Sequence, residues 1–154
     1  MFLVQSSVSF SNAQIGKNYA ENEYKNFYVI LSTLNLDSVT FIDDTSLYTS
    51  AQTALVQGGF IYIAESTLTA TDCSFTSGIA NQGGVIYSVR STLTLTGSTF
   101  TSNTALQNGG VIFGLLNFNI NIGSSTFTDN SAITGDVLNL ERSISPISIV
   151  NTIF

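Results

Sequence analysis

Asp43 and Asp44 form the only adjacent carboxylate pair in the chain. Two carboxylates are the usual minimum for general acid and base work, and a carboxylate cluster is what a hard cation such as calcium needs. Asp72 and Asp129 are read as falling near the same repeated Phe-x-x-Asn turn, which would extend the pair into an acidic strip on one outer face. β-Helical polysaccharide lyases and hydrolases collect acidic residues together with a basic one in this way. Here the basic partner is missing, because Arg90 and Arg142 fall by phase near the end of a different strand.

The rest of the composition narrows the chemistry further. There is no His, one Cys, and 4 Lys+Arg against 10 Asp+Glu, for a net charge of −6. Without His the commonest general base and metal ligand is gone. A single Cys excludes internal disulfides, thiolate metal cages and Cys-x-x-Cys redox chemistry. Cys73 is expected to be a small core residue. The acidic balance excludes a phosphate-gripping surface, so no nucleic acid partner is expected. Double glycines recur at Gly58-Gly59, Gly83-Gly84 and Gly109-Gly110, but no P-loop or dinucleotide spacing follows them, so they are expected to be turns. No cofactor, no metal and no enzymatic activity are expected.

The residues that remain belong to a repeat. Ser66-Thr67-Leu68-Thr69-Ala70, Ser91-Thr92-Leu93-Thr94-Leu95 and Asn117-Phe118-Asn119-Ile120 start about 25 residues apart, and each is followed by a phenylalanine. The glycine pairs recur in the same phase, with Gly135-Asp136 as a degenerate copy. Within each repeat, residues alternate with period two between bends, which makes strands. Three short strands and three turns per repeat of about 26 residues describe one coil of a parallel β-helix. The expected architecture is therefore all-β: a right-handed parallel β-helix of about five to six coils, with residues 1–154 forming one repeat domain.

This phase assigns the inner columns. One holds Phe10, Phe41, Phe75, Phe100, Phe127 and Phe154. A second holds Val8, Val39, Cys73, Ser98 and Ser125. A third holds Ile61, Ile86, Ile112 and Leu138, with Tyr28 before them. Asn103 and Asn130, with Gly83, Gly84, Gly109 and Gly110, are assigned to turns. The asparagines are expected to accept unusual backbone angles and to bond to the next coil. If the isoleucine column is internal, Tyr62, Tyr87 and Phe113 make an outward aromatic stripe flanked by Phe60, Val85 and Val111, and such a patch marks an interface. The other reading swaps the two faces of that strand. Outward threonines at 67, 69 and 71 and at 92, 94 and 96 make two stacked rows. An ice-binding array of that kind would have to extend, but its neighbours are Thr33, Asn35 and Asp37 on one side and Asn119 and Asn121 on the other.

Phe100-Thr101-Ser102-Asn103-Thr104-Ala105 and Phe127-Thr128-Asp129-Asn130-Ser131-Ala132 share the form F-x-x-N-x-A. With Gly109-Gly110-Val111-Ile112, this pattern resembles the repeats of the chlamydial polymorphic membrane proteins and of other adhesin-like, right-handed β-helical surface proteins. The resemblance is strongest from Ser66 to Ala132. It implies a surface-displayed solenoid that mediates attachment without catalysis. The chain departs from the pattern where Phe60, Val85 or Val111 follows the glycines in place of alanine. It also departs where Gly78 or Asp44 replaces the asparagine, and where the coil from Ser32 to Glu65 carries extra residues around Tyr48.

The function expected from these features is a structural or adhesive extracellular module, at the cell surface or in a fibre. The alternatives are a carbohydrate-active β-helical enzyme and an ice-binding solenoid. No apolar run approaches the about 20 residues of a membrane-spanning helix. Met1-Phe2-Leu3-Val4 lacks the basic flank of a signal peptide. The chain is accordingly expected to be a segment of a longer solenoid or to associate end to end, with a carbohydrate or a surface protein as the outside partner.

Overall fold

The computed structural model describes residues 1–16, 26–42, 56–143 and 146–154. It is a β-solenoid: parallel strands stack into sheets of six, six and five strands. Each coil contributes one strand to each sheet, except that the last coil meets the third sheet only through a single bridge between Thr126 and Ile153. The first sheet holds Phe2–Val4, Phe27–Ile30, Ile61–Ala64, Ile86–Val89, Ile112–Leu115 and Leu138–Glu141. The second holds Ser7–Ser11, Thr33–Asp37, Thr67–Thr71, Thr92–Thr96, Asn119–Gly123 and Ile147–Val150. The third holds Gln14–Gly16, Thr40–Ile42, Ser74–Thr76, Thr99–Thr101 and Thr126–Thr128. A short parallel pair, Ile79–Gln82 with Thr104–Asn108, sits between the third sheet and the glycine turns.

Period-two alternation decides which side chains enter the core. In Thr92–Thr96 the leucines are buried and the threonines face outward, and Leu93 lies between Leu68 and Ile120. No coil could bury its inner face alone, so the core exists only as stacked columns. The phenylalanine column runs through the third sheet. Phe41, Phe75, Phe100 and Phe127 are in register, with ring centroids 4.8, 5.0 and 4.7 Å apart and interplanar angles of 12°, 5° and 4°. Parallel register forces this near-coplanar stacking, because each ring leaves its backbone in the same direction as the ring below. Phe154 continues the stack at 5.4 Å and is exposed.

Three column assignments need correction. Phe10 pairs with Leu36 in the second sheet, and Ile15 is the residue opposite Phe41. Val8 likewise pairs with Leu34, and the place before Val39 belongs to Ala13. Phenylalanine need not recur in every coil, because any apolar side chain of sufficient volume closes the column. In the first sheet, Phe27 precedes Ile61 in the inward column, while Tyr28 pairs with Tyr62 on the outer face. Phe60, Val85 and Val111 do not flank an outer stripe. All are fully buried in the core, where Phe60 lies 5.4 Å from Phe41. A corner explains it: the amides of Phe60 and Ile61 both donate to the Val85 carbonyl, so two successive residues share one rung and strict alternation fails there.

Every coil turns on residues in the left-handed region. Gln5, Leu31, Glu65, Arg90, Leu116 and Arg142 form one such column, each following a strand of the first sheet. At the asparagine turn the left-handed residues are Ser77, Ser102 and Asp129, so the strained position precedes the asparagine and does not include it. At the glycine turn Gly83 has φ +65°, and Gly84 lies so close to the next coil that an added Cβ would collide with the Gly110 carbonyl. The first glycine supplies a conformation and the second supplies room.

Candidate functional site

Between the first and second sheets, the left-handed corner is followed by Ser6, Ser32, Ser66, Ser91 and Asn117, which stack as a ladder. The amides of Ser32 and Ser66 donate to the hydroxyls of Ser66 and Ser91 at 2.9 and 3.1 Å, and the Ser91 amide donates to Asn117 Oδ1 at 3.0 Å. Each of the serine hydroxyls in turn donates to the carbonyl two residues earlier, as Ser66 does to Ala64 at 2.6 Å. A corner would otherwise leave buried amides without partners, and one hydroxyl per coil satisfies them. The Ser-Thr or Ser-Ser that opens the first four second-sheet strands is the visible signal of this ladder, with Asn117 taking the place in the fifth, although its role is legible only once the coils are stacked.

A second ladder runs through the next corner. The Cys73 amide donates to Ser98 Oγ at 3.1 Å, the Ser98 amide donates to Ser125 Oγ at 3.3 Å, and the Cys73 thiol donates to the Thr71 carbonyl. Burial pushes the Cys73 thiol up from its ordinary value, and the nearby carboxylates of Asp37 and Asp72 act in the same direction. A buried thiol held protonated is a poor nucleophile and a poor metal ligand.

The asparagines form a third ladder. Asn103 is fully buried; its Oδ1 accepts from the Gly78 amide at 2.8 Å, and its Nδ2 donates to the Phe75 carbonyl and to Asn130 Oδ1. Asn130 repeats the contact to the Phe100 carbonyl. At Gly78, which replaces the asparagine in its own coil, an added Cβ would collide with the Gly84 carbonyl and crowd Phe60 and Asn103.

Along the outer face of the first sheet, Phe2, Tyr28, Tyr62, Tyr87, Phe113 and Asn139 are in register. Tyr28, Tyr62, Tyr87 and Phe113 stack with centroids 4.8, 5.3 and 5.1 Å apart. The strand faces are therefore those of the first reading, with isoleucines inside. Tyr62 is half-buried, but Tyr87 and Phe113 are 8% and 3% exposed, so this column shows little of its surface. Burial raises the Tyr87 phenol above its ordinary value, aided by Glu141.

Among the described residues, the members of the expected acidic strip do not come together. Asp43 and Asp44 lie outside the described residues, and so does Tyr48. Asp72 sits at the corner that enters the third sheet, whereas Asp129 sits at the corner that leaves it. The intervening strand carries them to different edges. Among the described residues no group of three His, Cys, Asp or Glu side chains comes together as a metal site.

A groove of about 960 Å³ follows the first corner outside the serine ladder. Its lining includes Gln5, Leu31, Glu65 and Arg90 from the left-handed column, and Ser7, Thr33, Thr67 and Thr92 from the start of the second-sheet strands. Arg90 and Glu65 approach to 3.5 Å, with both side chains about half exposed. Phe118 closes one end and is 52% exposed. It stands where one extra residue enters the loop: the inward residues Ser88 and Leu93 are five apart, whereas Gly114 and Ile120 are six apart. The groove leaves no signature in the sequence, because its walls are joined only by stacking. No protein-family model, curated protein or solved structure matches the chain.

Proposed function

We propose that the chain is a non-catalytic structural or adhesive β-solenoid module that works outside the cell, at the cell surface or in a fibre. The observation that carries this reading is the use made of the recurring residues. The phenylalanines, corner serines, asparagines and glycine pairs each join one coil to the next, so the repeat as a whole is spent on lengthening a rigid rod. The likeness of the F-x-x-N-x-A turns to repeats of attachment proteins supports the same reading.

The faces of the outermost described coils support association along the axis. Ile147, Ile149 and Phe154 continue inward columns and are 46%, 41% and 66% exposed. At the opposite end Val8, Phe10 and Ile15 continue the same columns and are half-buried. Phe10 to Ile15 and Ile149 to Phe154 are both steps of five residues, so the two faces match in register. An in-register coil, from further solenoid or from a second copy, would pair the backbone edges and cover these side chains. Sedimentation velocity of the 154-residue chain tests this. Concentration-dependent polymers are expected, suppressed by Ile149→Glu and kept in Val150→Glu, which alters the outer face of the same strand. A chain that stays monomeric at all concentrations would overturn the association.

A further inference from the structure

We propose that the corner groove binds an uncharged, extended polysaccharide lying parallel to the solenoid axis. This deepens the adhesive reading above and rests on it.

The hydroxyls of Ser7, Thr33, Thr67 and Thr92 form a row with one hydroxyl per coil, a spacing of about 4.8 Å set by strand pairing. The serines beneath them are consumed by the ladder, whereas none of these four side chains makes a hydrogen bond within the described residues. The row is therefore open to an outside partner that presents hydroxyls at a similar repeat, as an extended chain of pyranose rings does. Such a ligand also has apolar C–H faces. Phe118, half-exposed and lining the groove, is the aromatic side chain such faces would pack on. The aromatic column on the first sheet offers no such platform, because its ring faces are used up in stacking on one another.

Charge selects within the sugars. Arg90 and Glu65 pair with each other along one wall of the groove, so that wall carries no net charge to attract uronic or sulfated chains. The backbone selects against a peptide. A strand-adding peptide needs free amides and carbonyls, yet the amides of Thr33, Thr67 and Thr92 already donate to Ser6, Ser32 and Ser66.

Calorimetric titration of the 154-residue chain with cellohexaose, xylohexaose and laminarihexaose tests the proposal, with hexagalacturonate as the anionic probe. At least one neutral sugar is expected to bind with Kd at or below about 1 mM. Phe118→Ala and Thr92→Val are each expected to weaken it tenfold or more, while Thr101→Val, on the outer face of the third sheet, leaves it unchanged. Equal unfolding midpoints for the variants show that the fold is kept. The proposal is overturned if no neutral sugar saturates the chain up to about 1 mM, if hexagalacturonate binds as tightly, or if both groove variants bind as the parent does. Self-association without sugar binding overturns the groove alone. Sugar binding by a chain that stays monomeric supports the groove and overturns the axial association.

Discussion

Phe100 is fully buried between Phe75 and Phe127, with ring centroids 5.0 and 4.7 Å away. Truncating it to alanine opens a cavity in a column that the rigid coils above and below cannot close. Phe100→Ala is expected to cost about 3–5 kcal/mol in a urea titration, whereas Thr94→Ala, on the outer face of the second sheet, costs under about 1 kcal/mol. Equal costs would invalidate the inside and outside assignments. Cys73 supplies a second test through pH. Its folded thiol is raised above the ordinary value of about 8.5, so the folded state holds the proton more tightly than the unfolded chain does. Stability from this group is complete below about pH 8.5 and is lost as pH rises through the folded value. Tyr87 adds a loss of the same sign, beginning above about pH 10. Cys73→Ser is expected to remove the earlier loss and leave the later one, as read from denaturant midpoints between about pH 8 and pH 11.

The corners rather than the strands carry the strain of the fold. Arg142 is exposed and held at φ +53°, a region that costs a residue with a Cβ about 1–2 kcal/mol. Arg142→Gly removes that cost and adds back about 0.5–1 kcal/mol of unfolded-chain entropy, so the variant is expected to match or exceed the parent in stability. Gly84→Ala goes the other way, since its methyl group would meet the Gly110 carbonyl and force two coils apart. A loss of more than about 2 kcal/mol is expected there. Thermal denaturation of the two variants checks both signs. The serine ladder belongs to the same scale: each corner turns the backbone away from regular pairing, and one hydroxyl restores the lost hydrogen bond.

Because each coil touches only its neighbours, stability should vary along the axis as in other one-dimensional repeats. Middle coils are covered on both sides, as the fully buried Ile86, Leu93 and Phe100 show, whereas all of Ile147–Val150 is exposed. Hydrogen–deuterium exchange followed by mass spectrometry is expected to show the strongest protection in Ile86–Thr101 and early exchange in Ile147–Val150. Uniform protection along the chain would contradict a nearest-neighbour rod. Addition of an in-register coil should protect the last strand selectively, which links this measurement to the sedimentation experiment above.

The coil period, the strand alternation and the phenylalanine column from Phe41 onward were determined by the sequence alone, because parallel stacking repeats the same environment at the same phase and so writes itself into the residues. The buried place of Cys73 and the coil-to-coil bonding of Asn103 and Asn130 follow from that phase as well. Only the tertiary structure decided where the phase slips. Phe10 looked like a column member because of its type, yet its partner is Leu36, since a column asks for volume and not for a particular side chain. Phe60 turned inward because two residues share one rung at its corner, a break in alternation that no periodicity announces. Asp72 and Asp129 were separated by a strand whose two ends lie at different edges of the solenoid. The groove is the clearest case. Its lining residues from Gln5 to Phe118 are distant in sequence, and they become one surface only because coils stack about 4.8 Å apart.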